Sequence, residues 1–349
     1  MITIDLENLQ GWNDLPNGTY SITVGAKAEG YTRIIQSQAV SVVKESPQEE
    51  YFLTFSSISP FTISAEQSWD GTLEYSTDKT TWTEWDGSQI VSNSNNELYI
   101  RGIGNTLIAT SFILNGNTIS CTGNIENLLD YQTVENGQHP TMADSCYAGM
   151  FGDCTSLTTV PELPATTLTD SCYSYMFYGC TSLTTAPELP ATTLANNCYE
   201  CMFGDCTSLT TVPELPATTL AESCYVDMFD GCTSLTTVPE LPATTLADSC
   251  YSYMFQGCTS LTTVPELPAT TLAGSCYEGM FSGCTSLYVS DTQTTEAQHE
   301  WRIPSSVVIT GATYLQSGMF YDCLGTRASN DLAGQVGQQY VYYTQNEPV

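Results

Sequence analysis

Fifteen cysteines, two histidines and 38 acidic residues are the groups in this chain that could do chemistry. Twelve of the cysteines form six C-x7-C pairs, while Cys121, Cys201 and Cys323 stand apart. Zinc sites need closer spacing such as C-x2-C, and neither histidine is placed to help. Nucleophilic catalysis by Ser or Cys needs a histidine beside the nucleophile. The two present, His139 and His299, lie on opposite sides of the repetitive region. A reactive thiolate needs an electropositive setting, yet no Lys or Arg occurs between Arg101 and Arg302. Glycosidases need only two carboxylates, and this abundance of acids singles out no pair. No phosphate-cradling glycine motif or zinc-protease motif is present. The residues indicate no enzyme and require no cofactor.

The elements that carry these groups belong to a very acidic chain. Its 349 residues hold 7 Lys+Arg against 38 Asp+Glu, a net charge of −31. That excludes a nucleic-acid binder, which needs clustered cations to displace counterions from phosphates. An anionic membrane surface would repel the chain too. The hydrophobic content of 41% suffices for a packed core, so the charge does not signal disorder. No run approaches the roughly 20 apolar residues of a membrane span. Met1 to Gly11 lacks the basic-then-apolar pattern of a signal peptide. Export after signal removal, or release of a virus particle by lysis, would each fit.

Self-similarity is the strongest feature. From Cys146 the pattern C-Y-x-x-M-F-x-x-C-T-S-L-T-T-x-P-E-L-P-A-T-T-L recurs at Cys172, Cys198, Cys224 and Cys250, in steps of 26 residues. A sixth copy opens at Cys276 and runs to Leu287, and Met319-Phe320-Tyr321-Asp322-Cys323 is a remnant of another. One such unit cannot bury its own apolar face, so the period implies a solenoid. In the second copy Cys172, Met176 and Cys180 fall at i, i+4 and i+8. Tyr173 and Phe177 run parallel to them, which predicts a short helix on the outer, convex side. A short strand is expected at Leu183 to Ala186, because the prolines of P-E-L-P lack amide donors.

The unit M-F-x-G-C-T-S-L-T-T-x-P-E-L-P resembles the BspA-like leucine-rich repeats of bacterial surface proteins. Very similar arrays occur in proteins of gut bacteria and their phages. The resemblance covers Cys146 to Leu287, about half the chain. It departs from the commoner unit in its doubled proline and longer period. It implies adhesion or recognition, without naming a ligand.

A helix across each C-x7-C pair would separate its Cα atoms by about 12 Å, against less than about 7 Å for a disulfide. Two readings of the cysteines remain: small buried groups stacked between coils, or disulfides from coil to coil. Free thiols would point to folding in a reducing cytoplasm.

Two sets of positions are candidates for ligand contact. Glu162, Glu188, Glu214, Glu240 and Glu266 recur at one slot. Stacked about 4.8 Å apart, two such charges repel by roughly 0.9 kcal/mol even in water, so this ladder should face solvent. It is either a solubilising stripe or a site for a cationic ligand; carboxylates suit Ca²⁺, although no EF-hand loop accompanies them. The second set is the variable rim: Tyr175, Tyr178, Glu200, Asp227, Asp230, Tyr253 and Gln256, where copies otherwise alike differ. Either this rim carries specificity, or the uniform face binds a repetitive polysaccharide, or the positions merely tolerate change.

Four regions follow. Residues 1–48 alternate as strands do and resemble the last strands of a fibronectin-III or Ig-like domain. They are either part of such a fold completed by another subunit, or an anchoring segment, or a strand pair of the next domain. Residues 49–120 carry turn signals at Asp70-Gly71, Asp86-Gly87 and Asn115-Gly116 and read as a small antiparallel β domain. Within it Trp69, Trp82 and Trp85 are either core residues or a sugar-stacking platform. Residues 121–287 are the solenoid with its N-terminal cap, on whose outer face Asn124, Glu126, Asn127 and Asp130 are expected. Residues 288–349 form a C-terminal cap ending in a strand at Tyr340 to Tyr343, whose aromatic residues could also be an oligomer contact.

The fold class expected is mainly β with short helices: β modules followed by a leucine-rich-repeat solenoid. The function expected is non-enzymatic adhesion by a phage virion appendage. Its partners would be a bacterial surface protein or glycan, other virion proteins through the N-terminal β region, and further copies of itself. A bacterial cell-surface adhesin and a ligand-free decoration protein of a virus particle are the alternatives.

Overall fold

The computed structural model describes residues 18–26, 36–44, 50–66, 68–290, 293, 295, 298–303, 308–310, 318–323 and 340–344. The chain divides into two compact units, Met1–Glu50 and Tyr51–Val349. In the first, β1 (Gly18–Ala26) pairs antiparallel with β2 (Gln36–Lys44), with Gly18 opposite Lys44. The remainder of the expected Ig-like segment lies outside the described residues.

The second unit opens with eight strands: β3 (Leu53–Ser57), β4 (Thr62–Ala65), β5 (Thr72–Ser76), β6 (Thr83–Trp85), β7 (Ile90–Val91), β8 (Glu97–Ile103), β9 (Phe112–Asn115) and β10 (Ile119–Thr122). Leu53 and Phe55 of β3 face inward with Leu73, Leu98, Ile100 and Ile119, all buried, so alternation sets the inner face. Of the turn signals, Asp86 caps its own turn, whereas Asp70 ties its bend to the segment after β8. Asp70 accepts the amides of Thr106 and Leu107, and Asp86 accepts that of Ser88. The helix α1 (Asn127–Glu135) packs on β8 at Gly102, where a Cβ would lie 1.7 Å from the Leu128 carbonyl oxygen. Strand β11 (Leu157–Thr159) then pairs parallel to β10, giving a six-stranded sheet ordered β11-β10-β3-β8-β5-β6. The sheet therefore runs into the first coil of the repeat.

The helix expected in each repeat is replaced by a ribbon of tight turns. In coil two, Ser171, Tyr175 and Gly179 take left-handed φ values of 56°, 57° and 68°. A left-handed residue at every fourth position prevents a helix from propagating. The amides alternate in use. Those of Cys172, Ser174, Met176, Tyr178 and Cys180 donate three residues back, closing turns. Those of Ser171, Tyr173, Tyr175, Phe177 and Gly179 donate to carbonyls of Asn196, Cys198, Glu200, Met202 and Gly204 in the next coil, at 2.8–3.0 Å. The same alternation recurs in coils three, four and five. The apolar spacing of four does mark one buried face, but the face of a turn ribbon.

Side chains follow the backbone into ladders. Phe151, Phe177, Phe203, Phe229, Phe255, Phe281 and Phe320 stack at 5.6–5.7 Å between ring centroids. Tyr147, Tyr173, Tyr199, Tyr225, Tyr251 and Tyr277 form a second column at 5.7–6.1 Å. Fourteen cysteines are buried as free thiols. Cys180 donates its S–H to the Phe151 carbonyl of the preceding coil at 3.1 Å, and Cys206, Cys232, Cys258 and Cys284 repeat the bond. Backbone amides thus point forward along the stack while thiols point back. The P-E-L-P segments reduce the strand expected after each T-S-L. Between coils two and three it survives as an isolated parallel bridge, Thr185 to Thr211, and other bridges such as Thr219 to Thr245 fall after P-E-L-P.

Both ends of the stack are closed by mimicry. Phe112 of β9 fills the phenylalanine slot ahead of coil one. Its amide donates to the Met150 carbonyl at 2.7 Å, and its own carbonyl accepts the Cys154 thiol at 3.2 Å. Glu126 and Asn127, expected on the outer face of the cap, are buried instead. Glu126 turns inward because His139 Nδ1 reaches both its carboxylate oxygens at 2.9 Å. At the other end β12 (Thr271–Ala273) pairs parallel with residues 308–310, and β13 (Val289–Ser290) and His299–Ile303 flank Tyr340–Thr344 in a three-stranded sheet. The remnant at Met319 to Cys323 is a seventh coil: Met319 and Tyr321 accept the amides of Phe281 and Gly283 at 2.9 and 2.7 Å.

Burial pushes the thiols of Cys172, Cys206 and Cys224 up from 9.0 to about 12. A proton held more tightly in the folded state stabilises it fully below the unfolded thiol range, and that contribution disappears as pH rises through the folded value. Each thiol ionised only on unfolding removes about 1.4 kcal/mol per pH unit. Stability measured by urea unfolding under reducing conditions is expected to fall steeply between about pH 9 and pH 12. A flat profile over that range would show that the thiols are not buried.

Candidate functional site

The P-E-L-P segment exposes its acid and buries its leucine. Glu162, Glu188, Glu214, Glu240 and Glu266 are all exposed, while Leu163, Leu189, Leu215, Leu241 and Leu267 are buried. The prolines on either side hold the segment extended, so one glutamate per coil is delivered to solvent at a fixed point. Between the segments of coils three and four lies a groove of about 530 Å³, walled by Pro213, Pro216, Pro239 and Pro242 beside Glu214 and Glu240.

The variable rim positions come together on successive coils. Tyr175 donates its hydroxyl to Glu200 at 3.3 Å, and Tyr178 donates to Asp205 at 2.7 Å. The two tyrosine rings meet edge to face at 5.9 Å. Tyr253 donates to Glu278 at 3.1 Å, and Gln256 bonds to Asp230. Cys201 is one of the varying positions beside Glu200, whereas two further participants, Asp205 and Glu278, were not singled out in the sequence. Cys201 and Asp205 occupy left-handed positions, with φ of 50° and 57°. The signal that could have found Asp205 is the recurrence of Gly, Asp, Asn or Ser every four residues, the types that tolerate that conformation. Tyr175, Cys201 and Tyr253 break that rule. Each is held there by its amide, bonded to the next coil at 2.7–2.8 Å.

Electrostatics make the rim an unbalanced acidic surface. Burial, then Asp230 and Glu200, raise the Asp227 carboxyl to about 6. Burial, then Asp205, raise that of Asp230. The Tyr178 hydroxyl is lifted to about 12 by its bond to Asp205, and that of Tyr175 to about 12 by burial and by Glu200. Burial and the surrounding acids hold the Cys201 thiol near 12. It is a protonated group, not a nucleophile.

The three tryptophans are not gathered into one platform. Trp85 is 2% exposed and donates its indole N–H to the Ser88 carbonyl at 2.7 Å. Trp69 stacks on it at 5.8 Å. Trp82 lies apart, against Phe52 at 5.5 Å and under the Arg101 guanidinium at 4.0 Å. Trp85 is thus a core residue, while Trp69 and Trp82 are half-buried in separate places. Among the described residues no group of three His, Cys, Asp or Glu side chains is placed to hold a metal ion.

Stacked coils with ladders of Phe, Tyr and Cys, and a buried leucine at the same point of every turn, define a leucine-rich-repeat protein. The pattern of the BspA type leucine rich repeat region matches in six copies over residues 126–238 and 221–326, and the chain belongs to that family. No curated protein and no solved structure matches the chain. Repeats of this type characterise proteins of surface or protein interaction.

Asp227 supplies a direct check on the rim. Its folded carboxyl range is raised, so its contribution favours the folded state below about pH 4 and is lost as pH rises through about 6. Asp227→Asn is therefore expected to stabilise the protein at pH 7, by on the order of 1 kcal/mol after solvent screening. The gain should vanish near pH 4, as followed by thermal unfolding at the two pH values.

Proposed function

We propose that this protein is a non-enzymatic recognition protein carried on a phage particle, where its solenoid is presented to a bacterial surface protein or glycan. One observation carries the recognition function. The core ladders of the array are nearly identical from coil to coil, while many of the differing positions lie on the turn ribbon, where exposed or half-buried tyrosines and acids form a rim. A packing requirement alone would constrain the core and leave the surface variation unorganised.

The thiols support the particle as its setting. Fourteen free, buried cysteines suit a chain that folds in a reducing cytoplasm, as a virion protein assembled in its host does. The N-terminal β region, Ig-like in this reading, would join the array to other virion proteins, and further copies would multiply weak contacts. A bacterial surface adhesin is the second reading, favoured by the BspA type of the repeats.

Peptide mass spectrometry on density-purified phage particles, run beside surface-shaved host cells, decides between them. Stoichiometric peptides in the particles are expected. Their absence there, with recovery from shaved cells, would replace the phage setting by a bacterial one.

A further inference from the structure

We propose that the groove between the P-E-L-P segments of adjacent coils is a docking site for a basic polypeptide, a partner protein presenting Lys or Arg side chains along an extended stretch. This deepens the recognition reading and rests on it. The groove between coils three and four measures about 530 Å³, and Pro213, Pro216, Pro239 and Pro242 give it apolar walls. Glu214 and Glu240 stand exposed beside those walls. An apolar wall with a carboxylate at its edge matches a long cationic side chain, whose methylene stem packs while its charged head stays near water.

Charge complementarity selects this occupant. The ladder carries five carboxylates and no cation of this chain lies between Arg101 and Arg302 to compensate them. A partner cation between successive glutamates converts a repulsion within the ladder into two attractions. The sequence V-P-E-L-P recurs at residues 212–216, 238–242 and 264–268, so one extended partner meets the same arrangement at successive coils. Weak individual contacts then add through their linkage. A neutral glycan is served less well, because no aromatic ring lines the groove to stack on a sugar.

The test measures binding of octalysine to the full chain by calorimetry, against octaglutamate and a neutral glucan oligosaccharide. Two triple variants are compared, E214Q/E240Q/E266Q in the ladder and E84Q/E135Q/E222Q at exposed sites elsewhere; each removes three charges. Equal melting temperatures establish that both are folded. Octalysine should bind in a salt-sensitive manner, weakened about tenfold or more by the ladder variant and by less than about twofold by the control. Equal weakening by both, or no binding of octalysine, would overturn the proposal by leaving only bulk charge or nothing. Binding of the glucan that the ladder variant abolishes would also overturn it, while leaving recognition by the array intact. Retained attachment of particles or cells by the ladder variant would likewise separate the failure of this site from failure of the recognition function.

Discussion

Within each ribbon the backbone amides fall into two alternating sets, and only one can be satisfied locally. The set that closes turns fixes the shape of a coil, and the set that points forward needs carbonyls at the same spacing in a following coil. A single unit would leave five such donors unpaired in water, so the coils are stable only as a stack. The rest of the architecture follows from that requirement. Left-handed residues every fourth position keep the alternation in step and bring neighbouring residues inward in pairs, Cys with Tyr and Met with Phe. Identical pairs in adjacent coils then lie over one another, giving aromatic columns at a constant spacing. The thiol of each second cysteine supplies a donor to the phenylalanine carbonyl of the coil before it.

The same requirement explains the ends. The first coil must receive its partners from something other than a repeat, and β9 and β10 provide a phenylalanine and a strand in the correct places. The sixth coil needs carbonyls ahead of it, and residues 318–323 provide them despite an interval longer than the regular period. Only the surface escapes this constraint. Many of the differences between copies lie there, among them the unbalanced acids and the left-handed Tyr175 and Tyr253.

The solenoid, its period and the seventh partial coil were legible from spacing alone, because stacking imposes one repeat length on core residues. The ribbon was not. Apolar residues at i, i+4 and i+8 lie on one face of a helix and equally on one face of a turn ribbon of period four. The distinction lay in residues that carry no hydrophobic signal: Gly149, Asp153, Gly179, Asp205, Gly231 and Gly257, all at positive φ. The exposure of the glutamate ladder was legible from charge repulsion, whereas the gathering of Cys201, Asp205 and Glu278 with the rim required the coil-to-coil register. Trp85 was ambiguous because an aromatic residue in a β domain serves a core or a platform equally well; its contacts with Trp69 and Phe112 place it in the core. Glu126 was expected in solvent on composition, and a partner thirteen residues away, His139, accounts for its burial.

The most direct test of the stack is to shorten it by whole and half periods. Deleting Tyr199 to Cys224 removes 26 residues and joins Cys198 to Tyr225 in register, whereas deleting Tyr199 to Thr211 removes 13 and puts Val212 where a ribbon tyrosine belongs. The account predicts that the whole-period deletion still unfolds in urea as one cooperative transition, with its remaining buried thiols unreactive until that transition. The half-period deletion should lose both properties. Equal damage from the two deletions would contradict the claim that forward-pointing amides, matched coil by coil, hold this protein together.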